Sequence, residues 1–346
     1  MNEPTTKVEI SDPSNAAGDP NLPTVASALD PQFVNDAFRH SLTRIAGEGG
    51  RVSVRSIDVI RHKPGRRCVI EYGVRVKYAG APWGHATLIG KIRARRYGSE
   101  GLRLQESIWN SGFQADSTDG ISVPEPVAAI PSLQMWLQRK VGGAVSSGPL
   151  AGQHGPDLAR HIATGIYKLH RANIPTDRRH GMGDELRILH ECLPRAVELR
   201  PELTARIDRV LAAARRLAAT VPEPQPCGIH RDFYPAQVIA DGERIWLLDF
   251  DLYCLGDPAL DAGNFVGHLA EASLRTHGAV DTSDGTIRAF VDRFVELSGE
   301  ETLPAIEAYT TLTLVRHIYL STQFSDRAAF TERLLAVCET RLARHL

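Results

Sequence analysis

Alternating apolar residues are concentrated in one stretch of this chain, and that concentration limits the folds open to it. From Val52 to Arg93 the runs VSVRSIDVIRH, CVIEYGVRVKY and HATLIGKIRA are separated by KPGRR and AGAPWG. The pattern predicts three antiparallel strands joined by hairpins. SEGLRLQESIWNSGF then reads as a helix with Gly112 at its C-cap, and VPEPVAAI and LQMWLQRKV as two more strands. VGGAVSSGPLAGQHGP has the composition of a linker, which places a boundary near Val141. Beyond it the period is helical: Leu158, Ile162, Ile166 and Leu169 form one stripe, and further helices are expected at 183–199 and 202–219. A β-rich half followed by an α-rich half is an α+β chain of two lobes, and 346 residues at 42% hydrophobic content suffice for both cores.

Forty basic against forty-one acidic side chains leave a net charge of −1, so bulk charge points to neither nucleic acid nor an anionic membrane. The polar start lacks the basic and apolar regions of a signal peptide, and no apolar run is long enough to span a bilayer, so a soluble, cytoplasmic protein is expected. Cys68, Cys192, Cys227, Cys254 and Cys338 are scattered and never form a CxxC pair. Reduced, mostly buried thiols are expected rather than disulfides or zinc. Residues 1–32, rich in Pro, Asn, Asp, Ser and Thr, read as a flexible arm ahead of a helix near 30–46.

The α-rich half has one interruption, CGIHRDFYPAQVIADGERIWLLDFDLYCLGDPALDAGNF, in which VIA and IWLLD flank the turn DGER. His230, Asp232 and Gln237 precede this hairpin, and Asp249 and Asp251 follow it. A single Asp after a strand is usually a turn former or helix cap. The joint pattern sets two carboxylates and an amide oxygen on adjacent loops, an arrangement that hard cations favour.

HRDFYPAQVIADGERIWLLDFDLYCLGDPALDAGNF resembles the catalytic segment of the aminoglycoside phosphotransferase and choline kinase family, relatives of the protein kinases. KPGRRCVIEY is similar to that family's first hairpin, LIGKIRA to the strand with its nucleotide-binding lysine, and LQMWLQRKVGG to the strand and hinge between lobes. The resemblance runs over about residues 50–270. It implies a two-lobed protein-kinase-like fold, with a small antiparallel β-lobe carrying one helix at 33–140 and a larger helical lobe at 141–346. It further implies Mg·ATP as the phosphoryl donor and a small-molecule hydroxyl as the acceptor. Asp232 would orient that hydroxyl and take its proton, Asp249 would be the main Mg²⁺ ligand, and Gln237, where the family has Asn, a second. Lys91 would hold the α- and β-phosphates with Glu100 or Glu106 as its partner, Glu100 being preferred. Arg66 or Arg67 at the hairpin tip, which reads equally as a solvated basic tip, and Arg139 and Val141 at the strand and hinge, complete the implied nucleotide contacts.

The glutamine at 237 keeps open a second reading, a silent kinase-fold binding protein. No Gly-rich loop or activation segment supports a third, a protein kinase. Asp257 and Pro258 read as N-cap and first helical residue; the resemblance implies Asp261 as a brace of the catalytic loop and His230 as scaffold, and Asp251 reads as a second metal contact or equally as a turn former. The acceptor is not legible. Asp281, Asp284, Glu296, Glu300, Glu301 and Glu307 suit a cationic acceptor but equally a solvated face. Tyr309, Arg316, His317 and Tyr319, if turned toward the site, suit a neutral sugar or an acidic metabolite.

Overall fold

The alternation at 52–93 becomes the backbone of a six-stranded sheet. The computed structural model describes residues 7–41, 46–94, 99–280 and 284–346. It divides into two compact units, Met1–Gly142 and Gly143–Leu346. In the first, β1 (Glu9–Ser11), β2 (Arg51–Lys63), β3 (Arg67–Lys77), β4 (Trp83–Arg93), β6 (Pro126–Ile130) and β7 (Met135–Arg139) are ordered β1-β2-β3-β4-β7-β6, and β5 is the short Ile121–Ser122. Every second residue of β3 from Cys68 to Val76 is buried, which fixes the register against β2 and β4. Two irregularities in the β2–β3 ladder, at Val54/Ser56 and Val59/Arg61, mark where the long hairpin bends. α3 (Ser99–Asn110) follows β4, with Gly112 at a left-handed φ of 93° just beyond its end.

The N-terminal segment corrects the expectation of a flexible arm for residues 7–32. β1 pairs in parallel with β2, and α1 (Thr24–Ala28) and α2 (Pro31–Ser41) cover the sheet. Leu22, Val25, Ala28, Val34 and Phe38 join the sheet's core, and Phe38 meets Tyr72 edge-on at 5.1 Å. Tyr72 also donates to the carbonyl of Ala28. Composition misled because the few apolar residues are spaced to fill one open sheet face, while the acids make local hydrogen bonds. Asp12 accepts from the Ala16 and Ala17 amides, and Asp19 from the Asn21 amide.

The stretch read as a linker is also built in from Ala144 onward. β8 (Ala144–Val145) pairs with β10 (Val238–Asp241), and buried Ser146 donates to the carbonyl of Pro235. The helices of the second unit are α4 (Gly155–Arg171), α5 (Met182–Leu199), α6 (Thr204–Ala218), α7 (Pro258–His277), α8 (Asp284–Ser298), α9 (Leu303–Thr322) and α10 (Thr331–Arg341). α7 and α9 pack closely where Gly263 and Gly267 face Tyr309, Thr310 and Thr313, with no room for a larger side chain at either glycine. Into this helical unit are set β9 (Cys227–Ile229), paired with β12 (Cys254–Gly256), and β10, paired with β11 (Arg244–Leu247). The β9-to-β12 segment thus returns on itself and presents its two connecting loops together.

Among the described residues no helix is long and apolar enough to cross a membrane. All five cysteines are free thiols, four of them buried. Burial pushes the Cys192 thiol up to about 11, which makes it an unreactive core group at neutral pH.

Candidate active site

The loop after β9 is held in a conformation it would not choose alone. Arg231 sits at a φ of 71°, a region that costs a non-glycine residue about 1–2 kcal/mol. Both of its peptide groups are pinned. Fully buried Asp261 accepts from the His230 amide at 2.7 Å through Oδ2 and from the Arg231 amide at 2.6 Å through Oδ1. His170 on α4 lies 2.9 Å from the same Oδ2. Asn264, one turn along α7, donates to the Arg231 carbonyl at 2.8 Å. Its own Oδ1 accepts from Thr313 and Arg316 of α9. The brace expected of Asp261 is therefore present, and Asn264, His170, Thr313 and Arg316 extend it. His230 acts as scaffold: its Nε2 donates to the Leu248 carbonyl at 2.7 Å, and its ring packs on Phe233 and Phe250.

That frame presents Asp232. Phe233 beside it is buried and stacks on Phe265, while Asp232 and Tyr234 on either side are half-buried, so the loop alternates inward and outward. Pro235–Gln237 form a single 3-10 turn leading into β10. The Gln237 side chain is hydrogen-bonded to the Asp232 carboxyl. Burial pushes that carboxyl above the ordinary carboxylate range, and the charge of Asp249 adds to the shift; His230, Arg316 and the Gln237 hydrogen bond oppose it.

Asp249 follows β11 at φ 60°, ψ 65°, a second left-handed non-glycine residue, and opens the turn Phe250–Leu252. The turn is anchored by Arg178, which donates to the Asp251 carbonyl at 2.7 Å. Leu248 is fixed through its amide to the Gln237 carbonyl at 2.9 Å, so the two loops are stitched backbone to backbone. Such strain persists only where its surroundings over-determine it. Asp257 is the N-cap of α7, accepting from the Ala259 amide at 2.9 Å, with Pro258 in the first turn. Tyr309 also bonds to it.

Buried Glu185 lies 2.6 Å from His180 and 3.6 Å from Arg316. Burial works against its charged form, but His180, Arg316 and Arg231 outweigh that and hold its pKa below the usual value. The exposed acids differ: Glu296 pairs with Arg293 on the surface, and Glu300, Glu301 and Glu307 face solvent. Asp281 and the side chain of Asp284 lie outside the described residues. A cavity of about 660 Å³ is lined by Met182, Asp184, Glu223, Asp257 and Tyr309, and by none of Asp232, Gln237 or Asp249.

In the first unit Lys91 is on β4 opposite Trp136, with Nζ 4.7 Å from the Trp136 ring centre. Glu100 is exposed in the first turn of α3, and Glu106 is half-buried six residues on. Arg66 is exposed at the β2–β3 tip, where Gly65 has a φ of 67°. That tip is fastened from behind. Asp19 Oδ2 accepts from the Gly65 amide at 2.7 Å and from His62 Nε2 at 2.8 Å. Arg139 pairs with Glu125 at 2.7 Å, and Val141 is half-buried beyond β7. Trp136, Asp19 and Glu125 were not singled out by spacing, because each acts on a partner more than ten residues away.

Among the described residues no three His, Cys, Asp or Glu side chains converge as a metal site. The loops supply two carboxylates and an amide oxygen instead. Such a set fits Mg²⁺, which keeps part of its shell for water and phosphate oxygens.

Comparison with known proteins bears on the family and the fold. The sequence profile of the phosphotransferase enzyme family matches residues 114–297. No curated protein matches in sequence. Among solved structures, an ethanolamine kinase from Plasmodium vivax is similar at 13% identity, covering 91% of this chain and 89% of its own, with a TM-score of 0.54. A choline/ethanolamine kinase family protein from Mesorhizobium loti is similar at 15% identity, 90% and 97% coverage and a TM-score of 0.52. An aminoglycoside phosphotransferase mutant in ternary complex with ADP and hygromycin B gives 14%, 84% and 94%, and 0.55. These likenesses show a shared kinase-like α+β fold. With its profile match spanning more than half of the residues, the chain belongs to the phosphotransferase enzyme family.

Proposed function

We propose that this protein is an ATP- and Mg²⁺-dependent phosphotransferase that moves the γ-phosphate to a hydroxyl of a small molecule. The observation that carries this reading is the convergence at Asp232, whose carboxyl is hydrogen-bonded by Gln237 and lies in the field of Asp249, on a loop braced by Asp261. Related solved structures contain ADP or AMP-PNP beside hygromycin B or amicoumacin, which supports a nucleotide donor and a small-molecule acceptor.

Phosphoryl transfer is chiefly positioning plus neutralisation of spread negative charge. Asp232 orients the acceptor hydroxyl toward the γ-phosphate and takes its proton as the new P–O bond forms and the bond to ADP breaks. Its raised pKa makes it a better proton acceptor than an ordinary carboxylate. Asp249 and Gln237 would hold Mg²⁺, which when bound would supply positive charge to neutralise the phosphate oxygens. Lys91 grips the α- and β-phosphates, with its ammonium steadied on Trp136 and Glu100 as its proposed carboxylate partner. Arg66 reaches the phosphates from the hairpin tip, and Arg139 and Val141 line the nucleotide. The braced loop supports turnover over a silent relative: left-handed Arg231 and Asp249 would be needless strain in a scaffold.

The test is a pair of substitutions. Asp232→Asn should lower turnover by orders of magnitude and leave Mg·ATP affinity near the parent value, whereas Asp249→Asn should weaken Mg·ATP binding itself. Parent-like activity in both would defeat the assignment. Gln237→Asn separates the alternatives: unchanged or lower activity makes the glutamine a working ligand, and a marked rise would mean a degraded site.

A further inference from the structure

Tyr234 is two residues beyond Asp232 and, by the alternation around buried Phe233, emerges on the same side of the loop. Its ring stacks on His268 of α7 at 4.5 Å and 21°. His268 in turn meets His317 of α9 edge-to-face at 4.5 Å and 88°. Three rings from three elements thus form a row leading away from the catalytic carboxyl. Arg316, next to His317, acts electrostatically on Asp232, His268 and His317, which places the row beside the reacting centre.

Two features of the row are unexplained by folding. His317 is 2% exposed, and neither of its ring nitrogens has a hydrogen-bond partner among the described residues. A buried imidazole with both polar atoms unmet is costly unless a water or a ligand oxygen meets it. The charges that act directly on the rings are cationic, and each cation has a carboxylate partner of its own, Glu185 for Arg316 and Glu271 for Arg275 and Arg327. Arg316 and Arg327 act on both imidazoles and Arg275 on His317. Burial and these cations keep both rings neutral, so each offers one donor and one acceptor.

Resting on the phosphotransferase reading above, we infer that Tyr234, His268 and His317 form the acceptor wall and that the acceptor is an uncharged, hydroxyl-rich compound rather than an amine. Neutral imidazoles pair with hydroxyls in either direction, and an apolar ring row suits the faces of a cyclic polyol. The charged groups that act on the two imidazoles are the guanidinium groups of Arg316, Arg327 and Arg275, which disfavour an ammonium group beside them. Among the described residues, Glu296, Glu300, Glu301 and Glu307 are exposed on the surface.

ADP release is measured at saturating Mg·ATP with D-ribose, D-glucose, myo-inositol and uridine, and with ethanolamine, choline and kanamycin. The highest kcat/KM is expected for an uncharged compound. His268→Ala and His317→Phe should each lower it at least tenfold while Mg·ATP affinity stays within twofold. His317→Phe should also raise Tm, since it removes two unmet polar atoms; a purely structural histidine would give the rise without the kinetic loss. A cationic best acceptor, parent-like turnover in both variants, or no stimulation by any uncharged compound despite intact Mg·ATP binding would each overturn the inference. Failure of the parent protein to bind Mg·ATP would instead overturn the phosphotransferase reading.

Discussion

Replacing Asp261 by Asn keeps shape and one oxygen but cannot keep three acceptor contacts. If the remaining oxygen faces the His230 amide and His170, the new NH₂ group faces the Arg231 amide, donor against donor. One buried N–H is then unmet at a cost of about 1–3 kcal/mol, and the two retained bonds lose their charge assistance, roughly another 1 kcal/mol each. Removing a buried carboxylate returns part of this as relieved desolvation. A net loss of about 2–4 kcal/mol is expected, concentrated where Arg231 is held at a φ of 71°. Hydrogen exchange at the His230 and Arg231 amides reads the effect locally, and the urea midpoint reads it globally. Protection at both amides should fall by at least tenfold and turnover should drop, with Mg·ATP affinity affected less. Parent-like protection at residues 230 and 231 together with parent-like turnover would refute the reasoning.

Two further outcomes follow from the carboxylates. The Gly65 amide, and after it His62, hold the Asp19 carboxyl below its ordinary 3.8. Its stabilisation of the hairpin tip is therefore present above that value and lost as pH falls through the lower folded pKa. Exchange at the Gly65 amide should rise below about pH 4, and Asp19→Ala should raise KM for Mg·ATP several-fold with kcat nearly unchanged; a flat pH response and an unchanged KM would count against the clamp. Burial raises the pKa of Asp257 above 3.8, despite its bonds to Ala259 and Tyr309. The penalty is absent at low pH and grows as pH rises through the raised value, so Asp257→Asn, which keeps the cap, should match or exceed the parent's stability at pH 7. Asp257→Ala should lose about 1 kcal/mol with the cap, and thermal unfolding from pH 4 to 7 distinguishes the two.

The elements with strong local signals were legible. Strands β2 to β4 follow from period-two alternation, and the start of α7 from Asp257-Pro258. Residues 7–32 were not, because their order comes from a sheet face that composition does not describe. The site divides in the same way. Asp232, Gln237 and Asp249 stand close in sequence and carry a spacing signal. The groups that hold them do not: His170 meets Asp261 across 91 residues, and Arg316 meets Asn264 across 52. The ring row of Tyr234, His268 and His317 is likewise assembled only by the packing of α7 against α9 and against the loop after β9.

The most direct test of the account is thermal unfolding of the purified protein with ATP plus Mg²⁺, with ATP alone and with Mg²⁺ alone, alongside Asp249→Asn. Ligand at about 100 times its Kd stabilises by roughly 2.7 kcal/mol, a readily measured rise in Tm. The account predicts a rise that requires both components and is lost in Asp249→Asn. No rise with ATP or GTP in the presence of Mg²⁺ would contradict it.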